Sequence, residues 1–200
     1  MDLTQFIWIN PPQEFEVGSD VLSLTTAPHT DLWQKTYYHF VNDNAPMFLR
    51  ESAEEYFSFI VKVDFAESQQ RFDQAGIVVY LNSENWLKAS VEYENQQFQH
   101  LGSVVTRNGF SDWATVQIPV ETKEMYYRLS RRGQDFCIEN SADGLKFHQM
   151  RICHLEQASS KISFGVYACS PEESSFTAYF RDFQLGPCLW NPHDGQAPDK

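Results

Sequence analysis

One stretch of the chain sets an indole, an ammonium, a hydroxyl and two carboxyl groups at alternate positions: Trp86, Lys88, Ser90, Glu92 and Glu94. Alternate side chains of an extended strand share a face, so this row points one way while Leu87, Ala89, Val91 and Tyr93 point into a core. The row supports two kinds of chemistry. Carboxyl groups two strand residues apart have α-carbons roughly 6.6 Å apart, a spacing compatible with a glycosidase pair. An indole beside a few placed polar groups also suits a sugar ring, which stacks its apolar face and hydrogen-bonds its hydroxyls.

A later segment extends the row. Val116 and Ile118 read as inward, which turns Trp113, Thr115 and Gln117 outward. Trp86 and Trp113 then frame a groove containing Lys88 and Glu92. The segment from Pro28 to Tyr38 lacks helical periodicity and reads as a loop of exposed aromatic rings; folded over the groove it would add Asp31 and Trp33, with His29 beside them, and ordinary loop roles for these residues stay open. The expected ligand-binding set is therefore Trp86, Lys88, Glu92, Trp113, Thr115, Gln117, Asp31 and Trp33. No residue is assigned to catalysis except Glu92 and Glu94 in the alternative, hydrolytic reading, and the Glu-x-Asp-x-Glu run of strand-borne glucanase sites is missing. Lys88 and Glu92 also admit a plain surface ion-pair reading. Asp73, at a strand start, and Asp112, in the turn Gly109 to Trp113, read as caps for backbone N–H groups.

Strands must position these groups. Tyr56 to Phe65 alternates strictly, with Phe57, Phe59, Val61, Val63 and Phe65 on one face. Phe15 to Val17 and Val21 to Thr25 flank a Gly-Ser-Asp turn, and Ala75 to Leu81 is followed by a turn at Asn82 to Asn85. Val116 to Val120, Met125 to Arg131, Phe136 to Asn140, Leu145 to Ile152, Ile162 to Cys169 and Phe176 to Leu185 also read as strands. With no amphipathic helix above ten residues, the pattern is an all-β sandwich or barrel.

Composition narrows the function. The 200 residues are 42% hydrophobic and 15% aromatic, enough for a core, and the formal charge of −12 repels polyanions, so nucleic acid is not an expected partner. No stretch suits a membrane span and the N-terminus lacks a basic, apolar leader, so a cytoplasmic protein is expected. Cys137, Cys153, Cys169 and Cys188 form no C-x-x-C pair and read as reduced thiols. The six histidines, His29, His39, His100, His148, His154 and His193, show no compact ligand spacing, and no cofactor motif is present, so neither metal nor cofactor is expected.

The set Asp73-Gln-Ala-Gly76, Asn85-Trp-Leu-Lys-Ala89 with Glu92-Tyr93, and Ser111-Asp-Trp113 resembles the DUF1349 family, the regulation-of-enolase-type proteins. The resemblance runs from residue 5 to 187. It implies the concanavalin A-like lectin/glucanase fold, a jelly-roll sandwich of two antiparallel sheets, here one domain over 1–187 with a tail over 188–200. Ser90 and Asn95 depart from the pattern, standing where glycine is expected. The resemblance also implies carbohydrate-related binding and, from the family's regulatory description, a metabolic enzyme as an alternative protein partner. Open sheet edges leave monomer and dimer both in play.

Overall fold

The computed structural model describes residues 1–191; the expected tail from residue 192 onward, His193 included, lies outside the described residues. The strands are β1 (Phe6–Ile9), β2 (Phe15–Val17), β3 (Val21–Thr25), β4 (Leu32–Gln34), β5 (Val41–Asp43), β6 (Met47–Ser52), β7 (Tyr56–Asp64), β8 (Gln74–Asn82), β9 (Asn85–Tyr93), β10 (Phe98–Arg107), β11 (Phe110–Pro119), β12 (Glu124–Arg132), β13 (Asp135–Ser141), β14 (His148–His154), β15 (Ile162–Cys169) and β16 (Thr177–Gly186). They form two seven-stranded antiparallel sheets and a small hairpin. The first sheet runs β1-β6-β15-β8-β9-β10-β11, the second β14-β13-β12-β7-β16-β3-β2, and β4 pairs with β5. This is the all-β jelly-roll sandwich of the concanavalin A-like kind.

Period-two alternation builds the core between the sheets. Phe57, Phe59, Val61, Val63 and Phe65 are all buried there, facing Leu87, Ala89 and Val91 and the inward residues of β8, β10 and β15. Phe164 joins the layers, its ring 4.6 Å from Phe57 and 5.2 Å from Phe59. Tyr93, expected in this core, is only partly buried near the end of β9. Cys137 and Cys169 are buried in strands as small apolar fillers, and all four cysteines are free thiols. Burial pushes the Cys137 thiol up to about 12.

Several expectations change. Val116 lies on the core side of β11 yet is exposed, because β11 is the edge strand and nothing packs beyond it. Asp112 is not in a turn: the turn is Asn108-Gly109, with φ of 52° and 74°, the signature of a tight two-residue hairpin, and Asp112 already lies on β11. From there it bonds Arg151 of β14 at 2.9 Å, tying the two sheets' edges together. Strand β14 starts at His148 rather than Leu145, whose side chain is exposed. Strands β1, β4, β5 and β6 carry too few residues or too little alternation to show in the sequence. At the start of the expected tail, Leu189 N donates to Ser58 Oγ at 2.7 Å. No helix among the described residues is long and apolar enough to cross a membrane.

Gly76, mid-strand in β8, sits where a Cβ would stand 1.9 Å from the Ala89 carbonyl oxygen of β9. The clash is with backbone and cannot be relieved by a rotamer. Gly76→Ala should therefore destabilise the fold by about 1–3 kcal/mol, measured as a shift in the denaturant midpoint.

Candidate functional site

The outer face of the first sheet carries the polar row, and the β4–β5 hairpin covers part of it. Three anchors hold the hairpin and its flanks to the sandwich. Gln34 N donates to Ser111 Oγ of β11 at 3.0 Å, Tyr80 OH donates to Asp43 Oδ2 at 2.8 Å, and Lys88 Nζ of β9 pairs with Asp31 at 3.4 Å. Beneath the hairpin a second apolar cluster forms from Leu32, Trp33, Met47, Val78, Trp86, Val104 and Tyr167. At its tip Lys35, Tyr37 and His39 alternate in the left-handed region with φ of 54°, 62° and 62°, and short-range bonds such as Tyr38 N to Thr36 O at 2.7 Å hold the chain there.

A pocket of about 360 Å³ opens between hairpin and sheet. Its aromatic walls are Trp33, Tyr38, Phe40, Phe72 and Trp113; its polar lining is Asp31, Asn42, Gln74, Lys88, Glu92 and Glu172. Trp33 lies edge-to-face with both Tyr38 and Trp113, at 5.5 and 6.2 Å between ring centroids. The structure thus brings Asp31, Trp33, Lys88, Glu92 and Trp113 of the expected set to one cavity. Thr115 reaches only a narrow adjoining crevice that it shares with His100 and Gly102, and Gln117 lies beyond the pocket on the same face.

Trp86 departs from its expected place. Parity puts it on the outer face, but there it is 0% exposed, packed in the cluster under the hairpin with Nε1 donating to Ser83 O at 3.2 Å. Glu94 departs as well. It is bound to Arg71 at 3.0 Å and is not among the pocket residues, so Glu92 and Glu94 do not flank a common cavity. His29 pairs with Glu173 in solvent. Asp73 has the structural role expected of it, with Oδ2 accepting from Gln69 N and Gln70 N at 3.2 and 2.9 Å. Sequence reasoning missed Tyr38, Phe40, Asn42, Phe72, Gln74 and Glu172. Tyr38 had appeared only as an exposed loop ring; Phe40, Phe72 and Glu172 lie in turns and loops with no periodic signal, Asn42 lies on the three-residue β5, and Gln74, at the first position of β8, had appeared only as part of the family-like motif.

The floor has a defined electrostatic order. Lys88 is only 4% exposed, and its ammonium lies 5.8 and 5.5 Å from the ring centroids of Trp86 and Tyr167. A charge so placed requires its partner and its π faces. Gln74 organises the neighbouring carboxyl: Tyr167 OH donates to Gln74 Oε1 at 2.7 Å, which turns Gln74 Nε2 toward Glu92 Oε2 at 2.9 Å. Glu92 Oε2 is therefore an acceptor, while Oε1 is sealed from solvent without a hydrogen-bond partner. Burial, opposed by Lys88 and reinforced by Asp31 and Glu94, pushes the Glu92 carboxyl up to about 8. At neutral pH Glu92 is mostly protonated, and since Oε2 is engaged as an acceptor the proton belongs on Oε1. The floor then sets an ammonium, a neutral carboxyl group and an ion-paired carboxylate side by side, with the carboxyl proton on an atom closed to solvent.

Comparison with known proteins follows this geometry. The model of a family described as "Protein of unknown function (DUF1349)" matches residues 8–188. Regulation of enolase protein 1 of Saccharomyces cerevisiae is 29% identical over 184 residues, spanning 92% of this chain and 90% of that protein. The crystal structure of a functionally unknown protein from Saccharomyces cerevisiae superposes with a TM-score of 0.87 at 28% identity, covering 95% of this chain and all of that one. The GH43 BlXynB protein from Bacillus licheniformis superposes with a TM-score of 0.71 at 19% identity, covering 92% of this chain but 37% of that one, a likeness of fold.

The raised Glu92 group links stability to pH. Its ordinary value is 4.5 and its folded value about 8, so the folded state holds an extra proton between them. This contribution is intact below pH 4.5, declines as pH rises through the window to about 8, and is gone above it, a change on the order of 5 kcal/mol. Glu92→Gln, which cannot ionise, should melt higher than the wild type at pH 9, with the gap narrowing toward pH 5 in thermal scans.

Proposed function

Since the chain belongs to the DUF1349 family, whose activity the family description leaves open, we propose that it is a non-catalytic binding protein whose hairpin-covered pocket takes a carbohydrate. The observation that carries this reading is the pocket itself, about 360 Å³ with five aromatic residues around a hydrogen-bonding floor. A sugar ring presents apolar C–H faces and a rim of hydroxyls. The faces suit Trp33 and Trp113; the hydroxyls, each donor and acceptor, suit a lining that combines the donors Lys88 and Asn42 with the acceptors Asp31 and Glu172. The fold shared with the GH43 BlXynB protein is consistent with carbohydrate work but concerns the sandwich only.

Binding is preferred to hydrolysis for a geometric reason. A glycosidase needs two carboxyl groups facing each other across a bond. Glu94, tied to Arg71, is withdrawn from the cavity that Glu92 lines, and of the other carboxyl groups on that lining Asp31 is committed to Lys88 and Glu172 accepts from Gln70 Nε2 at 2.9 Å. A second reading, a protein partner, draws on the yeast relative named for regulation of enolase and on the exposed Tyr37, Tyr38, Phe40 and Val41 at the hairpin tip.

On an array of neutral and acidic oligosaccharides the protein should retain a defined subset and hydrolyse none of it. Trp113→Ala removes a side chain from a residue that is already 39% exposed, so it should leave the melting temperature nearly unchanged and weaken that binding by about tenfold. Silence across the array, together with enrichment of one protein from lysate by the wild type and not by Tyr37→Ala, would move the assignment to the partner reading.

A further inference from the structure

The pocket does not end at Trp113. We propose that the outer face of β10 and β11 beyond it, from Gly102 and Thr115 to Phe98 and Gln117, is a second subsite continuous with the pocket, so that the ligand is an oligosaccharide chain and not a single sugar. This inference rests on the carbohydrate reading of the pocket.

The register places the strip. Val104 pairs with Trp113, Gly102 with Thr115 and His100 with Gln117, so these side chains share the face that carries Lys88 and Glu92. From Trp113 to Gln117 the strand advances roughly 13 Å, longer than one sugar ring. The hairpin shields the other end of the face, around Trp86, while Trp113, Thr115 and Gln117 are exposed on the edge strand.

The surface chemistry continues that of the pocket. Rings recur along it: His100 lies 6.3 Å from Trp113 and 5.3 Å from Phe98, both edge-to-face. Between the rings stand the Thr115 hydroxyl and the Gln117 amide, which make no side-chain hydrogen bond among the described residues and so are free to serve a ligand. On a chain of formal charge −12, the β11 side of this strip from Trp113 to Gln117 carries no charged residue. Its other border carries charge, Glu94 lying 3.9 Å from His100 and paired with Arg71, so the strip offers rings and neutral hydrogen-bonding groups along β11 beside an ion-paired carboxylate that can accept from a hydroxyl.

Gly102 lowers the floor between the two subsites. A Cβ there would stand 2.9 Å from Thr115 Cγ2 and 3.3 Å from Trp113 Nε1. Without it, both side chains settle over the strand. The narrow crevice lined by Lys88, Glu92, His100, Gly102, Trp113 and Thr115 joins the pocket to the strip, sharing Lys88, Glu92 and Trp113 with the pocket lining.

Calorimetric titration with xylo-, gluco- and manno-oligosaccharides from one to six units tests the proposal in the intact chain. In a series that binds, affinity should climb by at least about tenfold from monosaccharide to the longer members. Gln117→Ala and Phe98→Ala should each erase most of that gain while leaving monosaccharide affinity within about twofold. Gln117 is a surface side chain, so its variant separates a subsite effect from misfolding. Affinity independent of length, or a gain that survives both substitutions, would overturn the second subsite and leave the pocket assignment standing. No binding by any member of any series would overturn both.

Discussion

An ammonium group buried in a β-sandwich imposes conditions on everything near it, and Lys88 is that group. Desolvating it costs far more than a single carboxylate in solvent can return, so Asp31 must be brought to it and held. The segment around Asp31 does so by forming the hairpin, which explains why a piece of chain with only three-residue strands is ordered against the sheet. The same demand recruits the π faces of Trp86 and Tyr167. It also bears on Glu92. One carboxylate already neutralises the ammonium, so burial prevails at the second and leaves it protonated. The pocket is what remains open between these obligations.

The parts of this arrangement that follow from local covalent geometry were legible before any coordinates. Strand parity separated Leu87, Ala89 and Val91 from Lys88 and Glu92 correctly, and put Trp113, Thr115 and Gln117 on the face of Lys88, because alternation is a property of the strand itself. What parity cannot express is whether a face is covered. Trp86 and Lys88 share a side, yet Trp86 is sealed under the hairpin and Lys88 lines a cavity; the difference lies in a segment more than forty residues away. Val116 shows the complementary limit. It points toward the core and stays wet because β11 has no outer neighbour. The Asn108-Gly109 pair was a readable hairpin signal that would have put Asp112 on a strand. The proton on Glu92 had no such signal, since it depends on burial and on the Gln74 amide orientation set by Tyr167.

The sandwich also shows which part of the site the fold decides. The floor of the cavity is strand-borne, with Gln74, Lys88, Glu92 and Trp113 on β8, β9 and β11, while its walls come from a hairpin, a turn carrying Phe72 and a loop carrying Glu172. The sheets supply a rigid, twisted platform with one face packed and the other available. The walls of the site are written in the short segments laid across that platform, where a few residues inserted or lost would alter the cavity without disturbing the core.

The hairpin tip gives this division an entropic meaning. Three consecutive alternate residues, Lys35, Tyr37 and His39, none of them glycine, occupy left-handed backbone conformations. Such strain is stored at folding, and the anchors at Ser111, Asp43 and Lys88 offset it before any ligand arrives. A wall held in this way has little freedom left to lose on association, so the ordering cost that weakens binding to floppy loops has already been met. The corollary is intolerance: a preset cavity rejects an ill-fitting guest sooner than it adapts to one, and selectivity at this site would be decided by shape at entry.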